Sequence, residues 1–470
     1  MSEEYDLLII GYGAAAFSGA IKASEITTGQ AKIAMVGTGP LGGTCVNVGC
    51  VPSKMLISAA RNFKYISEPR YPGLTADSYH SDTSKILDFI RSGVRNERMK
   101  KYEDVLKSYG NIDLYKSRAV FTGDRKVKLK DGTELFGYNV LIATGSKPSI
   151  PNIPGLNDAG YITSNEFWDL KKIPESIAII GAGPIGSEIG QAAARLGSNV
   201  HIIEKADQIL PGIPRDMAKR IMDAMIKDGV KFSLSAAVER VHTKNGTKVL
   251  TVHKNEDSFE LEADEILVAI GRYPNVDLGL ENTGVVYDKQ GIIVDADLRT
   301  SNKKIYAAGD VVKQRYKLET LAAKEGVIAA QNIFNHEAVK VEISSFPVAI
   351  FTQPEYAYVG YSEEDAVSAG INYDVRTIET SDVAKERILR NPEGMIRMIS
   401  EHDTGRIIGI QIVAESAADM INEASVIINS AITVEQLIDT PHVFPTVNEG
   451  IKLAAQSFLR DISMMSCCME

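Results

Sequence analysis

Two short apolar runs frame the chain. Residues 6–10 read Asp-Leu-Leu-Ile-Ile, and residues 176–180 read Ser-Ile-Ala-Ile-Ile. Runs this short, apolar at nearly every position, predict strands of a parallel sheet covered on both faces. Each enters a glycine-rich turn: Gly11-Tyr12-Gly13-Ala14-Ala15-Ala16 after the first, Gly181-Ala182-Gly183-Pro184-Ile185-Gly186 after the second. The apolar period then lengthens to that of a helix, running to about Ala23 in the first unit and about Leu196 in the second. A further strand follows over 199–203 and ends at Glu204.

A strand, a tight turn and a helix in that order suit a pyrophosphate. The bare backbone can approach it, and the helix start offers free N–H groups and the positive end of its dipole. One such turn is a weak signal. Two in one chain, each with its strand and helix, predict two dinucleotide sites, most simply a flavin and a nicotinamide. Gly11, Gly13, Ala15 and Ala16 belong to the first site, and Gly181, Gly183, Ile185 and Gly186 to the second.

Breaks in the pattern divide the rest. A proline-rich stretch covers 146–155, and Gly271-Arg-Tyr-Pro-Asn275 closes the second unit after a strand over 265–270. From about Ser345 strands and helices mix, ending in a helix over 449–458. The expected fold is α/β: two Rossmann-like dinucleotide-binding domains plus a C-terminal α+β dimerisation domain. The flavin domain is expected over 1–148 and 272–342, the nicotinamide domain over 149–271, and the dimerisation domain over 343–470 with its cysteine tail. A chain of 470 residues suits about three domains.

Composition narrows the function. A formal charge of −10 argues against nucleic acid and against a basic membrane-binding face. Met1-Ser2-Glu3-Glu4-Tyr5 has no basic leader, and no apolar run reaches membrane-spanning length, so a cytoplasmic protein is expected. The four cysteines form two pairs, Cys45 with Cys50 and Cys467 with Cys468. Two pairs cannot staple so long a chain, which leaves thiols that do chemistry.

Specific stretches then carry a resemblance. They are Cys45-Val-Asn-Val-Gly-Cys50-Val-Pro-Ser-Lys54, Ala143-Thr144-Gly145, the second glycine turn, the run 269–275, Ile305-Tyr-Ala-Ala-Gly-Asp310 and the run 352–360. On these the chain resembles the flavin-dependent pyridine nucleotide–disulfide oxidoreductases over essentially its whole length. Lys452-Leu-Ala-Ala-Gln-Ser-Phe458 and above all the terminal Cys467-Cys468 resemble the branch of that family that reduces Hg(II).

The resemblance implies FAD, NADH or NADPH as cofactors and Hg(II) as substrate. It implies Cys50 against the flavin and Cys45 as the exchanging thiol. It implies a homodimer with active sites at the subunit interface, where Cys467 and Cys468 of one tail take Hg(II) from small thiol complexes and pass it to Cys45 and Cys50 of the other subunit. Thiolates are the soft ligands that such a cation prefers. Lys54 and Glu188 are implied as an ion pair near flavin and nicotinamide, and Asp310 as the carboxylate holding ribityl hydroxyls. Ala119 is implied as a backbone contact to the adenine. Gly43, Thr44, Thr144, Gly145, Gly271, Gly309 and Ala322 are implied as further cofactor contacts. Tyr102 is implied beside the metal, with a plain surface-helix tyrosine as the competing reading.

Departures from the family pattern matter as much. The third glycine of the first turn is Ala16, and the acidic residue expected after strand 33–36 is replaced by Gly37. Glu204 stands where a carboxylate holds a ribose 2′-hydroxyl, which favours NADH, while Lys205 keeps NADPH open. In His442-Val-Phe444-Pro-Thr-Val-Asn-Glu449, phenylalanine occupies the place of the histidine base that dithiol-oxidising members use. Phenylalanine cannot move a proton, which disfavours a dihydrolipoamide dehydrogenase-like activity. His442, two residues away, is expected to point to the other face. A third reading, a flavoprotein that sequesters a soft metal without turnover, leaves Lys54, Glu188 and the second nucleotide turn without purpose.

Overall fold

The computed structural model describes residues 2–335, 338–343 and 345–464, so Cys467 and Cys468 lie outside the described residues. The first unit is built on a seven-stranded sheet. Its parallel strands run Ile112–Lys116, Ile33–Gly37, Glu3–Ile10, Glu134–Ile142, with Ile305–Ala307 beside the end of the last. Lys126–Leu129 and Ala119–Gly123 extend it antiparallel. The alternation of a strand explains why the first run is apolar at every position from Leu7 to Ile10. Leu7 and Ile9 enter the core under the helices, and Leu8 and Ile10 enter the core on the opposite face.

Helix Ala14–Ile26 packs against helix Glu319–Phe334 at unusually close range. A Cβ on Gly326 would lie 2.2 Å from the Ala15 carbonyl oxygen, so glycine there permits the contact. The chain leaves this unit through Ser146–Pro148 and returns through Arg272–Pro274, and these two strands pair antiparallel.

Between them lies a second, smaller sheet, ordered Lys231–Ser233, Asn199–Ile203, Ser176–Ile180, Glu265–Val268, all parallel. Helix Pro184–Arg195 lies in the core on one face and a three-stranded antiparallel sheet in the core on the other. The last unit is a five-stranded antiparallel sheet ordered Val348–Ile350, Glu355–Gly360, Ile407–Ala414, Met395–Glu401, Tyr373–Glu379. Helices Ala417–Asn429 and Glu449–Gln456 share its core. Among the described residues no helix is long and apolar enough to cross a membrane.

Candidate active site

The two cysteines meet where two helices nearly touch. Cys45 lies in helix Gly43–Val48, and Cys50 opens helix Cys50–Ser67. Only Gly49 separates the helices. A Cβ there would sit 2.9 Å from the Thr44 carbonyl oxygen and 3.1 Å from Cys45 Cα. Without that Cβ the Cα atoms of Cys45 and Cys50 come within 4.6 Å and the sulfurs join as a disulfide. Asn47 braces the short helix: its Nδ2 donates to the Leu41 and Gly43 carbonyls, each at 2.8 Å, and its Oδ1 accepts from Arg98 at 3.0 Å.

The dithiol helix is seated directly on the first glycine turn. The Gly42 amide donates to the Tyr12 carbonyl at 2.9 Å. Gly43 has φ +62°, and a Cβ on it would lie 2.6 Å from Gly13 Cα. Helix Ala14–Ile26 begins at Gly13 without a side-chain cap, which leaves its first amides for a phosphate. Gly145 leaves open space where a Cβ would stand. These bare backbone surfaces around the first turn fit a flavin dinucleotide.

Asp310 closes the same cradle. Its Oδ2 accepts from Ser146 Oγ at 2.6 Å, and Arg272 donates through Nε to that hydroxyl and through Nη2 to the Ser146 carbonyl, both at 2.7 Å. Arg272 also reaches Thr44 Oγ1 at 3.3 Å, tying the cysteine helix to this corner. Thr144 and Asn275 exchange hydrogen bonds at 2.8 and 2.9 Å. Beneath Gly309, whose Cβ would lie 3.3 Å from Ala322, the carboxyl of Glu325 accepts from the Gly309 amide at 2.6 Å. Glu325 is 1% exposed, its other oxygen has no partner among the described residues, and burial pushes its pKa up to about 7. Ala119 lies buried at the start of its strand.

Across the cleft, helix Pro184–Arg195 starts at Gly183, again without a side-chain cap and with open space at its missing Cβ. Glu204 holds this turn. Its Oε2 accepts from the Ala182 amide at 2.7 Å and its Oε1 from the Ala206 amide at 2.9 Å. This arrangement fits a nicotinamide dinucleotide. Lys54 of the cysteine helix meets Glu188 of the second helix at 2.9 Å. The Lys54 ammonium sits 4.2 Å from the Phe351 ring centre, and Glu188 Oε1 accepts from the Phe351 amide at 3.0 Å. Three units of the chain converge on one ion pair.

Tyr102 is not a free surface residue. It lies in a five-residue π-helix, Met99–Glu103, a conformation often kept at functional sites. Its ring packs edge-on to Phe17 at 4.7 Å and covers Gly42, the residue that anchors the cysteine helix. Burial raises its pKa.

Gly37 lies under an aromatic ring. The Tyr12 ring lies over Gly37, where a Cβ would come within 2.8 Å of Tyr12 Cγ. Tyr12 is 4% exposed, and its hydroxyl, near the Gly37 backbone, has no hydrogen-bond partner among the described residues. Burial pushes its pKa up to about 12. In the last unit Phe444 is 53% exposed. His442 is occupied elsewhere: Nε2 contacts Glu423 Oε1 at 2.8 Å and Nδ1 contacts the Thr440 carbonyl at 3.0 Å. Both ring nitrogens therefore face acceptors within its own segment and helix Ala417–Asn429. Glu449 Oε2 is buried without a partner among the described residues, and burial raises that carboxyl's pKa.

Sequence reasoning missed Asn47, Tyr12 and Glu325. Asn47 had one visible signal, a lone amide inside the cysteine motif.

Comparison with known proteins agrees with this geometry. Residues 5–326 match the family described as pyridine nucleotide-disulphide oxidoreductase, and residues 346–455 match its dimerisation domain. The mercuric reductase of Lysinibacillus sphaericus is 38% identical over 473 residues, covering 99% of this chain and 85% of the relative. That of Streptomyces lividans is 34% identical, covering 99% and 98%. A solved structure, the Cu(II) complex of the HOCl-induced flavoprotein disulfide reductase RclA from Escherichia coli, superposes with a TM-score of 0.85. It shares 25% identity and is covered in full by 98% of this chain. Two glycine-turn cradles facing one another across a disulfide and an ion pair, in a chain that matches the family along both of its segments, identify an NAD(P)H-dependent flavoprotein: the chain belongs to the pyridine nucleotide-disulphide oxidoreductase family.

Proposed function

We propose that this enzyme reduces Hg(II) to elemental mercury at the expense of NAD(P)H. The observation that carries the reading is a redox-ready cysteine pair seated on the flavin-type turn, in a chain whose base position is the half-exposed Phe444. A disulfide reductase acting on organic dithiols must move protons to and from sulfur, and phenylalanine cannot. A metal ion bound by two thiolates needs electrons and ligands, and no such base.

The overall change is balanced as NAD(P)H plus Hg(II) giving NAD(P)⁺, a proton and Hg(0). FAD, when bound, supplies the relay for the electron pair. The chain's own groups do the rest. Cys45 and Cys50, once reduced, hold the metal as thiolates, with Cys50 on the flavin side and Cys45 exchanging. Lys54 supplies fixed positive charge beside both cofactor sites, and Glu188 keeps it in place. Glu204 receives the 2′-hydroxyl of NADH, and Asp310 the ribityl hydroxyls. Gly11, Gly13, Gly43, Thr44, Gly145, Gly309 and Ala322 line the flavin site. Gly181, Gly183, Ile185, Gly186 and Gly271 line the nicotinamide site. Tyr102 offers a hydroxyl on the cysteine side.

The working form is a homodimer in the cytoplasm with active sites at the interface. Cys467 and Cys468 of one subunit collect Hg(II) from small thiol complexes and deliver it to the other. The domain limits proposed for this arrangement are 1–148 with 272–342, 149–271 and 343–470.

The test is NADH and NADPH oxidation with Hg(II) in excess thiol, beside lipoamide and oxidised glutathione. Turnover with Hg(II) alone, faster with NADH, is the expected result. Turnover with lipoamide and none with Hg(II) overturns the reading.

A further inference from the structure

One buried side chain joins all three units next to the Lys54–Glu188 pair. Helix Pro184–Arg195 carries Glu188, Gln191 and Arg195 at spacings of three and four, hence on one face. Helix Cys50–Ser67 presents Lys54 and Tyr65 toward it. Gln353, two residues beyond Phe351, fills the space between.

Gln353 is 6% exposed, and every hydrogen-bonding group it has is used. Its backbone amide donates to Gln191 Oε1 at 2.8 Å, and its carbonyl accepts from Gln191 Nε2 at 2.7 Å. Its side-chain oxygen accepts from Arg195 Nη1. Its side-chain amide donates to Tyr65 Oη at 3.1 Å and to Glu415 Oε1 at 2.9 Å. The partners are themselves anchored. Arg195 pairs with Asp228 at 2.8 Å, Asp228 also receives Lys64 at 3.3 Å, and Arg70 pairs with Glu415 at 2.7 Å. A buried network so fully satisfied specifies one arrangement, because any shift strands a polar group without water.

We propose that Gln353 is a positioning residue for hydride delivery: it docks the nicotinamide-side helix against the cysteine helix, so that Glu188 stays on Lys54 and the two cofactor cradles keep their separation. Gln353 touches neither cradle. It acts through Gln191 and Arg195, one and two helical turns from Glu188. This role depends on the proposed transfer from NAD(P)H to flavin and not on the identity of the metal.

The experiment therefore omits Hg(II) and follows flavin reduction by NADH in the holoenzyme, in a stopped-flow instrument. Gln353→Met keeps the volume and both backbone bonds but loses the three side-chain bonds. The expected result is a reduction rate lower by about tenfold or more, with FAD content and the oxidised spectrum unchanged. Faster amide hydrogen exchange in 184–195 should accompany it. Gln353→Glu alone sets a carboxylate against Glu415 and is expected to slow reduction similarly. The swap Gln353→Glu/Glu415→Gln restores each donor to an acceptor and is expected to recover the wild-type rate to within about threefold. A Met variant reduced at the wild-type rate overturns the proposal, whether or not its melting temperature falls. So does a folded swap variant as slow as Gln353→Glu alone.

Discussion

Gly37→Glu restores the carboxylate that the flavin-side ribose lacks, and the structure says it fails by itself. The new Cβ would lie 2.8, 2.9 and 3.0 Å from Tyr12 Cγ, Cδ1 and Cδ2. Those atoms are the root of a buried ring, not a flexible tip, so the whole side chain must turn out of its core. Overpacking of this kind costs about 1–3 kcal/mol. A carboxylate–hydroxyl hydrogen bond to the ribose contributes about 1.5–3 kcal/mol to binding, but only where the carboxylate can reach the ribose, and the ring stands in its way. Gly37→Glu is therefore expected to lower the melting temperature with little or no gain in FAD affinity. Tyr12→Ser removes the ring. Tyr12→Ser/Gly37→Glu is then expected to bind FAD about tenfold more tightly than Gly37→Glu alone, following the roughly 1.4 kcal/mol that a tenfold change represents. Fluorescence titration of the apoprotein with FAD measures this directly. If Gly37→Glu alone matches the double variant and melts like wild type, Tyr12 does not occupy the carboxylate's place.

Other consequences are as concrete. Lys54→Met leaves Glu188 only the Phe351 amide and removes the charge beside both cradles; flavin reduction by NADH should slow by roughly ten- to hundredfold in stopped-flow traces. Phe444→His returns a base to the segment containing Glu449, whose Oε2 has no partner among the described residues, and dihydrolipoamide oxidation with NAD⁺ should rise by about a hundredfold or more; no rise would mean that more than the base is missing. Glu325 has a pKa raised from 4.5 to about 7, mainly by burial, so the native state binds its proton more tightly than the unfolded chain. Stability should be greatest below about pH 4.5 on this account, fall as pH rises to about 7, and then level off, a span on the order of 3 kcal/mol. Glu325→Gln should flatten that slope in melting temperature against pH, and an unchanged slope would contradict the assignment.

Local signals made the frame legible. The runs at 6–10 and 176–180 are strands within Glu3–Ile10 and Ser176–Ile180, and the turns that follow open helices Ala14–Ile26 and Pro184–Arg195. Helix ends were less so. The first helix runs past Ala23 to Ile26, because Ser24 and Ile26 still fit its period. The expected helix over 449–458 stops at Gln456, and the expected strand over 265–270 stops at Val268.

The ion pair of Lys54 and Glu188 needed the family resemblance, since nothing local links residues so far apart. Gln353, Tyr12 and Glu325 stayed hidden for the same reason. Each matters through groups that converge only in the folded chain, and a glutamine in Thr352-Gln353-Pro354-Glu355 carries no mark of its five hydrogen bonds. His442 was expected to face away from the Phe444 position, and its bonds to Glu423 and Thr440 give it partners of its own. The tail cysteines lie outside the described residues.

The central claim is that electrons from NAD(P)H reach Hg(II) through Cys45 and Cys50. The most direct measurement is anaerobic: mercury vapour swept from a sealed reaction, counted against NADH consumed, with Hg(II) supplied in excess thiol. The account predicts one atom of vapour for each NADH; Cys45→Ala/Cys50→Ala holoenzyme that still binds FAD should release no vapour and consume no NADH beyond the single equivalent that reduces its flavin. NADH consumed without vapour, or vapour released undiminished by the cysteine variant, would contradict it.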